Sequence, residues 1–206
     1  MVNFSRIIPC LLIDSEGALV KSIGFRKRVY IGDPINAVKI FNEKEADELI
    51  LLDIDAFKNQ SQPDFSLIEQ IASECFMPLS YGGGVSSLLH MEKLFYLGVE
   101  KIILNSALFY NVEIVKEAVK KFGSQAIICT INVKKNFLGH YKVYDSGAKK
   151  NRNLNPLEFA KKMIDFGCGE LFINSVDRDG SFLGYDMELI KIFSQNSAVP
   201  ITVCGG

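Results

Sequence analysis

The residues in this chain best suited to chemistry are small and mostly uncharged. Gly82-Gly83-Gly84 and Gly205-Gly206 each follow a short apolar run. Without side chains, such residues let backbone N–H groups approach an anion closely, and a following helix N-terminus adds a favourable dipole. Asn105-Ser106 ends another apolar run and offers amide and hydroxyl donors of the kind that suit phosphate. In SVDRDGS (175–181), Asp179 can accept from a substrate hydroxyl, and Gly180-Ser181 can donate to phosphate. Lys21, in the long first loop (14–33), is either a mobile phosphate or substrate contact or an exposed lysine. Each feature also has a plain reading: a tight glycine turn, an Asx-type turn, a solvated loop.

The elements that must position these residues alternate along the chain. Runs 6–13, 48–54, 77–81, 101–105, 126–133, 170–175 and 199–203 are short, rich in Ile, Leu and Val, and apolar on both faces, as buried parallel strands are. Helical patterns fall between them at 34–44, 65–74, 86–97, 112–121, 155–166 and 186–195. Gly98 and Gly167 supply stops, and Asn155-Pro156 supplies a cap with a first-turn proline. Residues 132–153 read as a hairpin excursion turning near Leu138-Gly139 and Asp145-Ser146-Gly147.

An internal repeat selects the architecture. ADELILLDID (46–55) matches CGELFINSVD (168–177), and MPLSYGGG (77–84) matches VPITVCGG (199–206), both offset by 122 residues. Two copies of a four-strand unit predict an α/β fold of the (β/α)8 (TIM) barrel type as one domain over 1–206. Seven strands are visible. The expectation is that the eighth βα unit, roughly 30–40 residues in this fold, is missing from the C-terminus.

Composition narrows the function classes. With 23 basic and 24 acidic residues the net charge is −1, which argues against nucleic-acid and membrane-surface roles. Five dispersed cysteines in mostly apolar segments, without CxxC, read as buried free thiols. His90 and His140 do not neighbour them at ligand spacing, so no metal site is expected. No cofactor is expected either. The N-terminus fits neither a signal nor a transit peptide, so the expected location is the cytoplasm.

RIIPCL, ADELILLDI, PLSYGGGV, KIILNSA, FGSQ, GCGELFINSVDRDG, GYD and PITVCGG together resemble the cyclase subunit of imidazole glycerol phosphate synthase, from histidine biosynthesis. The resemblance covers essentially the whole chain. It implies a glutaminase partner forming a heterodimer, ammonia passing through the barrel, and a phosphorylated small molecule held by Gly83, Gly84, Asn105, Ser106, Asp179, Gly180, Gly205 and Gly206. It also implies a charged gate at the opposite end, on Arg6, Glu48, Lys101 and Glu170.

Two departures stand against these matches. The family's catalytic aspartates belong at the ends of the first and fifth strands, where this chain has Leu12 and Asn132. Leucine transfers no proton, and a carboxamide has no useful pKa near neutrality. Asp14 and Asp55 are the possible substitutes. Three functions follow as expectations. The first is an ammonia-conducting subunit serving amidination of a sugar in surface-glycan biosynthesis. The second is a cyclase of histidine biosynthesis using displaced acids, and the third a non-catalytic phosphate-ligand scaffold.

Overall fold

The computed structural model describes residues 5–206, so the first four residues of the N-terminal stretch discussed above lie outside it. The described chain forms two compact units. One runs to Lys21 and resumes over Val29–Ile102; the other comprises Ser22–Arg28 and Ile103–Gly206.

The first unit is built on β1 (Cys10–Ile13), with β2 (Leu19–Ile23) and β3 (Lys27–Gly32) folded back from it, both continuing into the second unit. Then come α1 (Pro34–Glu43), β4 (Leu49–Asp53), α2 (Phe65–Glu74), β5 (Leu79–Gly82), α3 (Leu88–Tyr96) and β6 (Lys101–Leu104), whose last two residues count with the second unit. β1, β4 and β5 pair in parallel, with Cys10↔Ile50↔Ser80 and Leu12↔Leu52↔Gly82 in register.

The second unit continues with α4 (Ala107–Tyr110), α5 (Ile114–Phe122), β7 (Ile127–Lys135), β8 (Tyr141–Asp145), β9 (Lys150–Asn151), α6 (Pro156–Asp165), β10 (Glu170–Ser175), α7 (Met187–Asn196) and β11 (Ile201–Cys204). β7, β10 and β11 again pair in parallel, with Thr130↔Phe172↔Thr202 and Asn132↔Asn174↔Cys204 in register. The ladder of the first unit is thus reproduced in the second, at an offset of 122 residues from β4 to β10 and from β5 to β11, and of 120 from β1 to β7. This mostly parallel sheet, alternating with helices, is the pattern of a (β/α)8 barrel.

Local chemistry sets the boundaries. β1, β5 and β11 begin one residue after Pro9, Pro78 and Pro200, which lack an N–H to give a ladder but still accept from Ile50, Leu49 and Leu171. The first strand therefore starts at Cys10 and not at Arg6. Asp33, Asp64, Ser87, Asn155 and Asp186 cap five helices through their side chains. Gly98 and Gly167 adopt φ of +97° and +96° past the ends of α3 and α6, a conformation costly to any residue with a Cβ.

Three sequence expectations need correction. The segment 14–33 is a strand pair, not a loop, and Lys21 sits inside β2. The four-residue α4 was not expected. The strands of the second unit are not apolar on both faces, for Thr130, Asn132, Glu170, Asn174 and Ser175 are all buried. The hairpin expected over 132–153 is present as β7, β8 and β9.

No described helix is long and apolar enough to cross a membrane.

Candidate functional site

At the C-terminal end of the first unit's ladder, Leu12 lies in register with Leu52 on one side and Val20 on the other. That is an apolar seat. The carboxylates nearby are occupied structurally. Asp14 Oδ1 accepts the backbone N–H groups of Glu16 and Ala18, each at 3.0 Å, closing a turn. Asp55 is 6% exposed and its Oδ2 accepts from the Ser15 N–H. Asp53, which sequence reasoning passed over, ends β4 and accepts from the N–H groups of Asp55 and Ala56, both at 2.9 Å. Burial pushes its pKa above the usual carboxylate range, the two backbone bonds oppose this, and the charges of Asp55 and Asp14 push it further up. The signal for it was its place, since Asp53 is the last strand residue before the turn.

Gly83 follows at φ +122°, and a Cβ there would stand 2.4 Å from the Asp53 carbonyl oxygen. Its repeat mate Gly205, at φ +96°, would place a Cβ 2.5 Å from the Ser175 carbonyl oxygen. Asp53 and Ser175 are themselves repeat mates. Both glycines are thus demanded by the same close pass of loop over strand end, which leaves backbone and not side chain facing outward. Gly84 and Gly206 are similarly crowded, by Ser61 and by Gly184 respectively.

In the second unit the ladder ends in polar groups. Thr130, Asn132 and Asn174 are 5%, 2% and 7% exposed. Thr130 Oγ1, Asn132 Nδ2 and Asn174 Oδ1 are buried and have no hydrogen-bond partner among the described residues. Strand alternation puts all three on one face, together with Phe172, Thr202 and Cys204. A buried polar atom left without a partner costs about 1–3 kcal/mol, so such a row is unusual unless something polar fills it.

Asp179 and Gly180 pack on the segment Ser22–Gly24. The Ser22 hydroxyl donates to the Asp179 carboxylate, Gly24 N–H donates to the Asp179 carbonyl, and a Gly180 Cβ would meet Ser22. One acceptor oxygen of Asp179 is therefore already engaged. Asn105 donates through Nδ2 to Ser146 Oγ at 3.1 Å while its Oδ1 is buried without a partner. Ser106 precedes α4 but makes no capping bond. Beside them Asp145, wholly buried, accepts from Arg152 Nε at 3.0 Å and from the Tyr110 hydroxyl.

The other end of each ladder carries the charged residues. In the first unit Glu48, 8% exposed, accepts from Arg6 and, at 2.9 Å, from Lys101. In the second unit its repeat mate Glu170, 7% exposed, accepts from the Thr202 hydroxyl. Two buried carboxylates are costly unless bonded in this way. Among the described residues no group of three His, Cys, Asp or Glu side chains is placed to hold a metal.

Residues 6–206 match the histidine biosynthesis protein family. The chain is 46% identical over 201 residues to a Pseudomonas aeruginosa protein named "Putative imidazole glycerol phosphate synthase subunit hisF2", covering 98% of this chain and 80% of the relative. It is 46% identical over 202 residues to a Leptospira interrogans protein carrying the corresponding HisF name, covering 98% and 79%. A Campylobacter jejuni relative named as a hisF2 subunit is 42% identical over 202 residues, covering 98% and 79%.

Proposed function

Because the chain belongs to the histidine biosynthesis family, we propose that it is a cyclase-like subunit which receives ammonia from a glutaminase partner and conducts it for amidination of a sugar in surface-glycan biosynthesis. The observation that carries this reading is the pair Leu12 and Asn132 at the two positions where the family pattern has catalytic aspartates. One is in register with Leu52 and Val20, the other is a neutral amide in register with a second one. Neither transfers a proton near neutrality. The buried Glu48 and Glu170 at the opposite strand ends, each hydrogen-bonded, support retention of the end at which ammonia would be admitted. The glycine loops favour a phosphorylated small molecule as ligand, through backbone N–H groups.

A second reading, a working cyclase, is favoured by Asp53, whose raised pKa suits a general acid better than an ordinary aspartate's does. The two readings part in one experiment. The protein is mixed with its glutaminase partner, and both glutamine hydrolysis and turnover of the phosphoribulosyl-formimino histidine precursor are followed. Stimulated hydrolysis without precursor turnover supports ammonia delivery. Precursor turnover at an ordinary cyclase rate overturns it, and a silent glutaminase points to a scaffold.

A further inference from the structure

We infer that the second unit carries a binding site for a free α-amino acid with a large apolar side chain, in a cavity of about 480 Å³ between α4 and α6. The site goes beyond the ammonia-conducting reading and does not depend on it. Every residue lining the cavity belongs to the second unit, and its volume suits one small molecule.

The cavity has an apolar floor. Phe109 of α4 and Phe159 of α6 stack with ring centroids 5.4 Å apart and planes 4° from parallel. Leu108 and Phe159 are 3% and 8% exposed, so the floor is dry, whereas Leu154 on the rim is 41% exposed and has apolar surface left to cover. Over this floor Arg152 is fixed in place. Its guanidinium lies 5.4 Å from the Phe109 ring centre, its Nε donates to the wholly buried Asp145 at 3.0 Å, and its Nη2 donates to the Tyr110 hydroxyl at 3.4 Å. Nη1 makes no hydrogen bond among the described residues.

The charges of the lining select the ligand. Glu158, Phe159 and Lys162 present one face of α6 to the cavity. Glu158 and Lys162 are one turn apart, the spacing of a helical ion pair, yet among the described residues they form none. The lining therefore offers an open carboxylate and an open ammonium together, while the charge of Arg152 is already offset by Asp145. A simple anion would satisfy Lys162 and oppose Glu158, and a simple amine would do the reverse. A zwitterion satisfies both. Its carboxylate accepts from Lys162 and from Arg152 Nη1, and its ammonium donates to Glu158. Its side chain then rests on Phe109, Leu108 and Leu154, which rewards a large apolar group over a small one.

Methyl NMR of the protein tests this, following the Leu108, Val112 and Leu154 resonances. The probe is L-phenylalanine, compared with 3-phenylpropionate, which lacks the ammonium, phenethylamine, which lacks the carboxylate, and glycine, which lacks the side chain. A saturating shift of these methyls is expected with L-phenylalanine, at an affinity at least about tenfold above that of any of the three. Glu158 and Lys162 are exposed, so their substitution leaves the fold in place. K162M should weaken L-phenylalanine about tenfold and leave phenethylamine unchanged, and E158Q should weaken L-phenylalanine and leave 3-phenylpropionate unchanged. The site is overturned if L-phenylalanine leaves these methyls unmoved, if 3-phenylpropionate binds as tightly as L-phenylalanine, or if neither substitution alters the affinity.

Discussion

Asp53 shows how far one carboxyl group can be pulled from ordinary behaviour by place alone. Burial raises its pKa from 3.8, against two backbone N–H groups that favour the ionised form. The folded state therefore holds the proton more tightly than the unfolded one. Its contribution to stability is fully present below 3.8 and declines as pH rises through the folded value, remaining a penalty at neutrality. Asparagine keeps the accepting oxygen and removes the charge. D53N is expected to melt higher than wild type at neutral pH, the gap closing in acid below the ordinary aspartate value. Thermal melts across pH check this, and a variant that is less stable at neutrality and equal in acid contradicts it. Asn132 is the converse case: a group without a titration, where the family pattern would place one. The same residue scale limits what sequence reading reaches. Leu12 and Asn132 were identifiable because a motif fixed their positions, while Asp53 was hidden among Asp14 and Asp55, whose carboxylates turn out to hold loops together.

At the scale of elements, the parallel strands and their helices were legible because caps, prolines and glycines punctuate them, and the glycine loops because they recur at one offset. What was not legible was tertiary. The pairing of β2 with β1 is decided by contacts made after the chain folds, since LVKSI, interrupted by Lys21 and Ser22, does not read as an apolar run of the kind that marks the parallel strands. The buried polar row was hidden for a similar reason: Thr and Asn within ICTINV read as interruptions until register sets them on one face. Two predictions belong here. G205A should cost the second unit about 1–3 kcal/mol, from positive φ and a blocked approach to Ser175, more than G139A, which meets nothing within 4 Å. Denaturant unfolding of the two variants decides it, and equal effects would show that the close pass is not required. R152A should lower the unfolding midpoint by stranding the wholly buried Asp145, and adding D145N should recover most of the loss. No recovery in the double variant would mean that Arg152 acts through packing alone.

The whole molecule is one ladder pattern written twice, and its two copies have diverged at equivalent positions. Where the first unit has Leu12, Leu52 and Gly82 across its strand ends, the second has Asn132, Asn174 and Cys204. Neither Leu12 nor Asn132 is a carboxylate, whereas the buried glutamates at the opposite ends, Glu48 and Glu170, are both bonded. On the proposed reading, such a chain conducts ammonia and does not close a ring by proton transfer. The direct test is turnover of the phosphorylated histidine precursor with ammonium salt, comparing wild type with the double variant L12D/N132D. One positioned proton-transfer group is worth about 10²–10⁴-fold. Negligible wild-type turnover is expected, with a gain of at least about 10²-fold on restoring both aspartates. Wild-type turnover at a rate the substitutions leave unchanged would contradict it.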